Sequence, residues 1–475
     1  MECGDFIKIT EYLWEIPKSF RYDMRVPARI YATEQILKDS LKDRSANQLI
    51  NLTTLPGIYK YAIAMPDIHE GYGFPIGGVA AMSAVDGVIS PGGVGYDINC
   101  GVRLLRSEKT AREIKDYLSD LGRSIFQEVP SGVGRGGRLK LKSGELNLVL
   151  KKGAVRMIEM GYGRPEDSEF LESNGCLSDA DPSLVSERAK KRGADQLGTM
   201  GAGNHFVEVG EVEEIFDREI AKIFGLFKGQ ATVLIHTGSR GLGHQIATDY
   251  IKTILEAMPK YGVVLPDREL AAVPFYSSEG QNYFKAMNSG ANFAWANRQL
   301  ITWEVREAWR KIFGNAGELK IVYDVAHNLA KIEEYDGKKL VIHRKGATRA
   351  FSENHPEIPG LYQKTGQPVL IPGSMGTASY VLTGARGAME NTFGAVCHGA
   401  GRIMSRLRAR KQILAEELRE RLAGKGIKIF TGSLRGLSEE APAAYKDIDS
   451  VVEVVARAGI AKKVAKLKPL AVIKG

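Results

Sequence analysis

Cysteine is scarce in this chain: four residues in 475, at Cys3, Cys100, Cys176 and Cys397. They form no CxxC pair and no regular framework, which excludes a disulfide scaffold and favours a reducing, cytoplasmic compartment. No GxxxxGKS/T run occurs, which argues against a P-loop NTPase. The lysine-centred KxDG-type motif of common nucleotidyl-transferring enzymes is also missing, so any nucleotide-carrying nucleophile is not such a lysine. Residues 1–20 mix acids, aromatics and lysines without a continuous apolar run, which argues against a secretory signal. The stretch 72–96 carries only Asp86 as a charge. Its glycines and prolines exclude a spanning helix and predict buried strands joined by tight turns. No internal repeat, low-complexity segment or linker is visible.

What is present is an ordinary globular composition, 44% hydrophobic and 25% charged. A chain this long buries a large core without disulfides or structural metals, so metal ligands within it point to function rather than to folding. Length alone suggests about three domains. The formal charge of +9 favours phosphates or nucleic acid as partners, and equally suits a mildly basic protein with no such partner. Apolar patterning predicts an amphipathic helix over 28–44, a short strand over 60–64 feeding a loop at 66–75, and buried strands at 77–82 and 102–105. Helical patterns cover 186–197, 286–313 (the longest), 403–410, 406–422 and 450–466. Strand-like runs at 231–235 and 321–325 end at His236 and at Ala326-His327-Asn328. The 53 glycines exceed the usual share of about 7% and cluster beside the polar motifs, where backbone must approach a ligand closely.

Of the eight histidines, His205, His236 and His327 follow strand-like or glycine-rich segments. Asp97 and Cys100 form an Asp-x-x-Cys within the glycine-rich turn 90–101. Thiolate, carboxylate and imidazole together suit a borderline divalent ion such as manganese, zinc, iron or cobalt, and a thiolate can bridge two ions. Magnesium alone is a poor match. Taken singly, each residue is as well explained as a satisfied histidine or a small buried cysteine. His398, in Cys397-His-Gly-Ala-Gly-Arg402, has two readings as well: a ring nitrogen exposed to a bulky electrophile, or the cap of a following helix. A nucleophilic histidine must be neutral, with its other nitrogen fixed by an acceptor. Asp67, in Met65-Pro-Asp-Ile-His-Glu70, is a candidate for that acceptor. Runs 236–243 and 372–379 mix glycine with hydroxyls and form either anion nests or ordinary loops. Residues 132–137 fit GxGxxG formally, but their flanks do not carry a dinucleotide-binding reading.

Together these segments resemble the RtcB family of RNA-splicing ligases. The matching runs are Pro66-Asp-Ile-His-Glu-Gly-Tyr-Gly-Phe-Pro75, Gly95-Tyr-Asp-Ile-Asn-Cys-Gly-Val-Arg103, Gly201-Ala-Gly-Asn-His-Phe-Val-Glu208, His236-Thr-Gly-Ser-Arg240, Ala326-His-Asn328, Pro372-Gly-Ser-Met-Gly376 and His398-Gly-Ala-Gly-Arg402. They stand in family order over nearly the whole chain. The resemblance implies an α/β (α+β) fold, one large unit over residues 1–475 with central β-sheets flanked by helices. It implies two manganese ions bridged by Cys100, with Asp97 and His205 on one and His236 and His327 on the other. It implies GTP as co-substrate, His398 as the residue that carries GMP, and Asp67 as the group that orients it. Asn204, Asn328, Ser374 and Ser379 would surround the phosphates and ribose, with Ala400 and Gly401 also at the nucleotide. Glu208, Tyr445 and Lys474 would read guanine, a carboxylate accepting from N1–H and N2–H and a lysine donating to O6. Arg240, Lys345, Arg402 and Arg406 would meet RNA phosphates. The implied reaction joins a 2′,3′-cyclic-phosphate or 3′-phosphate RNA end to a 5′-hydroxyl through GMP-histidine and an RNA 3′-phosphate–GMP anhydride, in tRNA splicing and RNA repair. Archease is a partner with which family members often work, and no membrane is involved. Two rival readings stay in view: a dinuclear-metal phosphohydrolase or nuclease without a histidine nucleophile, and a non-catalytic RNA-binding protein.

Overall fold

Two sheets dominate the computed structural model, which describes residues 1–132, 136–315 and 317–475. The seven-stranded sheet runs in the order Ile7–Lys8, Leu13–Ile16, Ala28–Tyr31, Ile58–His69, Ile76–Ser83, Lys338–Lys345, Asn328–Tyr335. The eight-stranded sheet runs Lys320–Ala326, Gly101–Thr110, Gln230–Thr237, Phe206–Ile215, Ala461–Lys474, Ser379–Gly384, Pro368–Ile371, with Lys428–Thr431 pairing in parallel on Ala461–Lys474. Helices interleave with both, so the fold is mixed α and β with large central sheets. One of the crossings between the two sheets takes a single residue. Strand Lys320–Ala326 ends in the eight-stranded sheet, Asn328–Tyr335 begins in the seven-stranded one, and His327 lies between them.

The inner strands read as near-continuous apolar runs because both faces are covered; Gln230–Thr237 is buried at every residue. Helix Ser278–Phe313 is 36 residues long and buried over most of its length. Ser277 starts it, its side chain accepting from the Gly280 N–H at 3.1 Å. Surrounded by helices Leu118–Glu128, Ser143–Lys152, Ala154–Glu159 and Arg240–Ala257, it has no solvent-facing polar stripe of ordinary width. Among the described residues no helix is long and apolar enough to cross a membrane.

The strands expected at 77–82, 102–105, 231–235 and 321–325 are present, as are helices within 186–197 and 286–313. Four expectations need correction. Residues 28–44 are strand Ala28–Tyr31 followed by helix Glu34–Ser40. Ala28–Tyr31 is zipped between Leu13–Ile16 and Ile58–His69, and Thr33 caps the helix by accepting from the Ile36 N–H at 3.2 Å. Strand Ile58–His69 continues through Asp67, so residues 66–69 are not loop. The pattern at 403–422 is two helices, Arg406–Gln412 and Ala415–Gly424, the first capped by Ser405. The pattern at 450–466 is helix Ile448–Arg457, then Gly459 at φ +72°, then strand Ala461–Lys474. Pairing on two neighbours overrides the helical pattern there. Of the GxGxxG-like run 132–137, residues 133–135 lie outside the described residues.

Candidate active site

Strand Ala395–Cys397 delivers His398 onto Asp67. A single carboxylate oxygen, Oδ2, accepts from His398 Nδ1 at 2.6 Å, from the His398 backbone N–H at 2.9 Å and from the Gly399 N–H at 3.2 Å. Asp67 is fully buried. The backbone donors hold the carboxylate, and the carboxylate holds the ring with Nδ1 donating, which leaves the Nε2 lone pair for chemistry. Two glycines make this approach possible. A Cβ at Gly401, φ +75°, would collide with the Asp67 carbonyl, and one at Gly346 would lie 3.1 Å from His398 Cε1. On either side of Asp67, the carbonyls of Pro66 and Ile68 accept from Lys446 Nζ, and burial pushes that amine down to about 8.

The His398 ring centroid lies 4.8 Å from that of His327, which opens onto a second cluster. Its members come from the ends of adjacent strands. Cys100 immediately precedes Gly101–Thr110, His205 immediately precedes Phe206–Ile215, and His236 is the penultimate residue of Gln230–Thr237. The register places His236 opposite both Val102 and Phe206, and Ala326 opposite Gly101. Cys100 Sγ therefore lies 3.3 Å from His205 Nε2 and 3.4 Å from His236 Nε2, which is 3.4 Å from His327 Nε2. His205 Nε2 lies 3.0 Å from Asp97 Oδ2. Gly238 packs against the Asp97 carboxylate, where a Cβ would collide with Oδ1, and the Ser239 N–H donates to that oxygen at 3.1 Å.

Two three-residue sets with converging donor atoms result, Cys100–His236–His327 and Asp97–Cys100–His205, sharing Cys100. A tetrahedral ion with bonds of about 2.0–2.3 Å holds its ligand atoms roughly 3.3–3.7 Å apart, and the Cys100–His236 and His236–His327 separations of 3.4 Å fall in that range. Electrostatics agree with the donor chemistry. Burial, with neighbouring positive charge, holds His236 and His327 well below the usual imidazole range, in the neutral form that ligates. Burial pushes the Cys100 thiol well above its ordinary value, a penalty that a bound cation reverses. Burial is the largest single influence on Asp97 and works against its charge, but the hydrogen bonds with His205 and Cys100 and the nearby charges of His205 and Arg240 together outweigh it and keep that carboxyl low. The residues present fit divalent-ion binding, with Cys100 common to both sets.

Asn328 links the two clusters, its Nδ2 donating to the Asp97 carbonyl at 3.1 Å and its Oδ1 accepting from the Gly346 N–H at 2.8 Å. Asn204 Oδ1 is buried with no partner among the described residues. Ser379 Oγ accepts from the Gly373 N–H at 3.1 Å, Ser374 Oγ lies 3.3 Å from Thr377 Oγ1, and this turn flanks Gly399 and the buried Ala400. Arg240, at φ +55°, donates from Nε to Thr199 Oγ1 at 3.1 Å and packs against Gly201 beside His205.

A further group forms around Glu440, a buried residue that no motif marks. It accepts from Arg402 and Arg406, both at 2.8 Å, and from the Tyr445 hydroxyl. The Arg402 guanidinium stands 4.9 Å over the Tyr445 ring. Lys474 donates to the Gly203 carbonyl at 2.8 Å, and burial, partly offset by the Glu440 charge, pushes it down to about 8. On the neighbouring strand, burial raises Glu208 to about 8 against the pull of Lys474. Lys345 belongs to neither group: its Nζ donates to the carbonyls of Tyr72 and Phe74, and burial lowers it to about 7. Sequence reasoning missed Glu440 and Lys446. Glu440 is one of two adjacent glutamates, and nothing local separates it from its partly exposed neighbour; Lys446 has no signal beyond following Tyr445.

A family model described as tRNA-splicing ligase RtcB matches residues 48–475. Curated relatives carrying that name include one from Thermococcus kodakarensis, 55% identical over 98% of both chains. Another, from Aeropyrum pernix, is 54% identical over 98% of this chain and 99% of its own, and one from Archaeoglobus fulgidus is 50% identical over 99% of both. With a match over most of its length and relatives at this identity, the chain belongs to the RtcB family.

Proposed function

We propose that this chain is an RNA ligase of tRNA splicing and RNA repair that activates RNA 3′-phosphate ends with GTP through His398, uses two manganese ions, and works in the cytoplasm as one catalytic unit. The supporting observation is the position of His398: its Nδ1 is held by Asp67 at 2.6 Å while its ring lies 4.8 Å from His327 of the metal set. Cys100, His236 and His327 would hold one ion and Asp97, Cys100 and His205 the other. When bound, the ions supply positive charge against the phosphate oxygens.

Asp67 keeps the proton on Nδ1, and Nε2 attacks the α-phosphorus of GTP; an N–P bond forms as the bond to pyrophosphate breaks. A 2′,3′-cyclic end is first hydrolysed to a 3′-phosphate. An oxygen of that phosphate then displaces His398 from GMP, giving the anhydride. The 5′-hydroxyl attacks the RNA phosphorus, loses its proton, and GMP leaves. Asn204, Asn328, Ser374, Ser379, Ala400 and Gly401 would line the nucleotide, and Glu208, Tyr445 and Lys474 would select guanine. Arg240 and Arg406 would meet RNA phosphates, Arg406 from an exposed side chain that is also paired with Glu440; the more deeply held Lys345 and Arg402 would first have to release their partners. An archease-type activator is part of the same proposal.

The test is incubation with radiolabelled GTP and Mn²⁺. Acid-labile covalent label, absent from His398→Ala, is the expected result. RNA cleavage without label would instead favour a phosphohydrolase or nuclease. RNA binding that survives Cys100→Ala, with no ends joined by the wild type, would favour a non-catalytic RNA-binding protein.

A further inference from the structure

Arg298, in the middle of the buried helix Ser278–Phe313, touches neither cluster's reacting atoms yet ties their loops together. It is fully buried. Its Nη1 donates to the Asn99 carbonyl at 2.8 Å and to the Thr237 carbonyl at 2.9 Å, and its Nη2 donates to Asn99 Oδ1 at 2.9 Å. Asn99 precedes Cys100, and Thr237 follows His236. The other side of the guanidinium grips both oxygens of Asp324, Nε to Oδ2 at 2.8 Å and Nη2 to Oδ1 at 2.9 Å. Asp324 lies in strand Lys320–Ala326, which leads to His327. Gly101 leaves the space: a Cβ there would lie 2.9 Å from Arg298 Cζ.

The same helix adds two clamps. The Ala291 carbonyl accepts from Asn99 Nδ2 at 2.8 Å. Asn297 Nδ2 donates to the carbonyls of Thr199 and Gly238, both at 3.1 Å. Sheet pairing fixes His236 within its strand, but it does not set Cys100 and His327, which lie just beyond theirs. We infer that Arg298 is the positioning residue for the paired metal sites, setting the spacing of Cys100, His236 and His327 by fastening three ligand-bearing segments to one rigid helix. A planar fork with fixed donors does this where a flexible ammonium cannot.

The inference rests on the metal reading proposed above, and the experiment separates the two. Mn²⁺ binding to the purified full-length chain is followed by the electron paramagnetic resonance signal of free Mn²⁺, with thermal melts alongside. Wild type is expected to take up two ions. Arg298→Lys, which keeps the charge and loses the fork, is expected to bind Mn²⁺ ten- to a hundredfold more weakly, the usual effect of disturbing groups that orient ligands. Arg103→Lys is the comparison. Arg103 also donates to Asp324, at 2.8 Å, but its other contacts are Gln299 and Thr302 rather than ligand loops. It is expected to melt earlier while keeping Mn²⁺ affinity within threefold. Should Arg298→Lys fail to fold, Asn99→Gly decides, because Asn99 stands at φ +51°, where glycine is at ease. Its affinity is expected to fall at least threefold. Wild-type affinity in a folded Arg298→Lys or in Asn99→Gly, or equal loss in Arg103→Lys, overturns the inference and leaves the metal reading standing. A wild type that binds no Mn²⁺ removes the metal reading itself, and the inference with it.

Discussion

Replacing Asp67 by asparagine isolates the charge beneath His398. An amide oxygen still accepts from the backbone N–H groups of His398 and Gly399, so the local fold is expected to survive; what disappears is the negative charge on the oxygen that faces Nδ1. The smaller effect is loss of charge assistance in that hydrogen bond, about 1–2 kcal/mol. The larger arises in the reaction. Once Nε2 bonds to phosphorus with the Nδ1 proton retained, the ring is cationic. At the 2.6 Å separation seen here, the lost attraction is at most ~6 kcal/mol for an effective dielectric of about 20. Guanylylation is therefore expected to slow by between roughly tenfold and roughly 10⁴-fold, with Mn²⁺ uptake unchanged. The assay is single-turnover transfer of radiolabelled GMP at saturating GTP and Mn²⁺, read on denatured protein. A folded Asp67→Asn that labels within threefold of the wild-type rate would refute the assignment of Asp67 as the group that orients the nucleophile.

Cys100→Ala is expected to lose both ions and all covalent label, because both ligand sets share that sulfur; one retained ion by metal analysis would confine the thiolate to a single site. Glu208→Ala is expected to reduce the preference for GTP over ATP at least tenfold, since a guanine donor loses its acceptor, and an unchanged preference in competition labelling would remove Glu208 from the guanine pocket. With Glu208 raised to about 8 and Lys474 lowered to about 8, carboxylate and ammonium coexist best near pH 8. GTP affinity by calorimetry should rise toward that pH and fall beyond it, and Glu208→Gln should lose the acid limb. Glu304 is buried, its Oε2 has no partner among the described residues, and burial raises it from 4.5 to about 9. A raised acid contributes stability that is complete below pH 4.5 and lost as pH climbs toward 9, so Glu304→Gln should melt like wild type in acid and progressively higher above it. The gain is at most ~5 kcal/mol at pH 8, and coincident melting curves at pH 8 would mean the carboxyl is ionised and satisfied.

The residues that gather at the candidate site were legible because reactive side chains carry their own signal. Asp97, Cys100, His205, His236, His327 and His398 stand out as metal-binding or nucleophilic types, all but His327 close to a glycine, and the glycines have the physical reason expected of them. Gly238 admits the Asp97 carboxylate, and Gly401 admits the Asp67 backbone. Strands buried on both faces were legible for the same local reason. Ala461–Lys474 was not. Its alternation of lysines with alanine, valine and leucine suits a helix as well as a strand, and only pairing with Phe206–Ile215 and Ser379–Gly384 decides between them. Ala28–Tyr31 is the same case, decided by Leu13–Ile16 and Ile58–His69.

Groups that hold, rather than react, stayed hidden for a different reason. Arg298 lies 199 residues from Asn99, Lys446 lies 378 from Ile68, and Glu440 lies 34 from Arg406; no local pattern encodes partners that distant. Their cost is nevertheless a clue. A charge buried without partners is expensive, so an arginine inside the apolar pattern of helix Ser278–Phe313 requires acceptors, and those it found are Asp324 and the backbone carbonyls beside Cys100 and His236. A chain that kept every motif but replaced Arg298 would read the same, residue by residue, at the site. If the spacing of the ligand atoms depends on that arginine, such a chain would be a weak metal binder with an intact signature. Assigning activity across the family from the motifs alone would then overcount the active members.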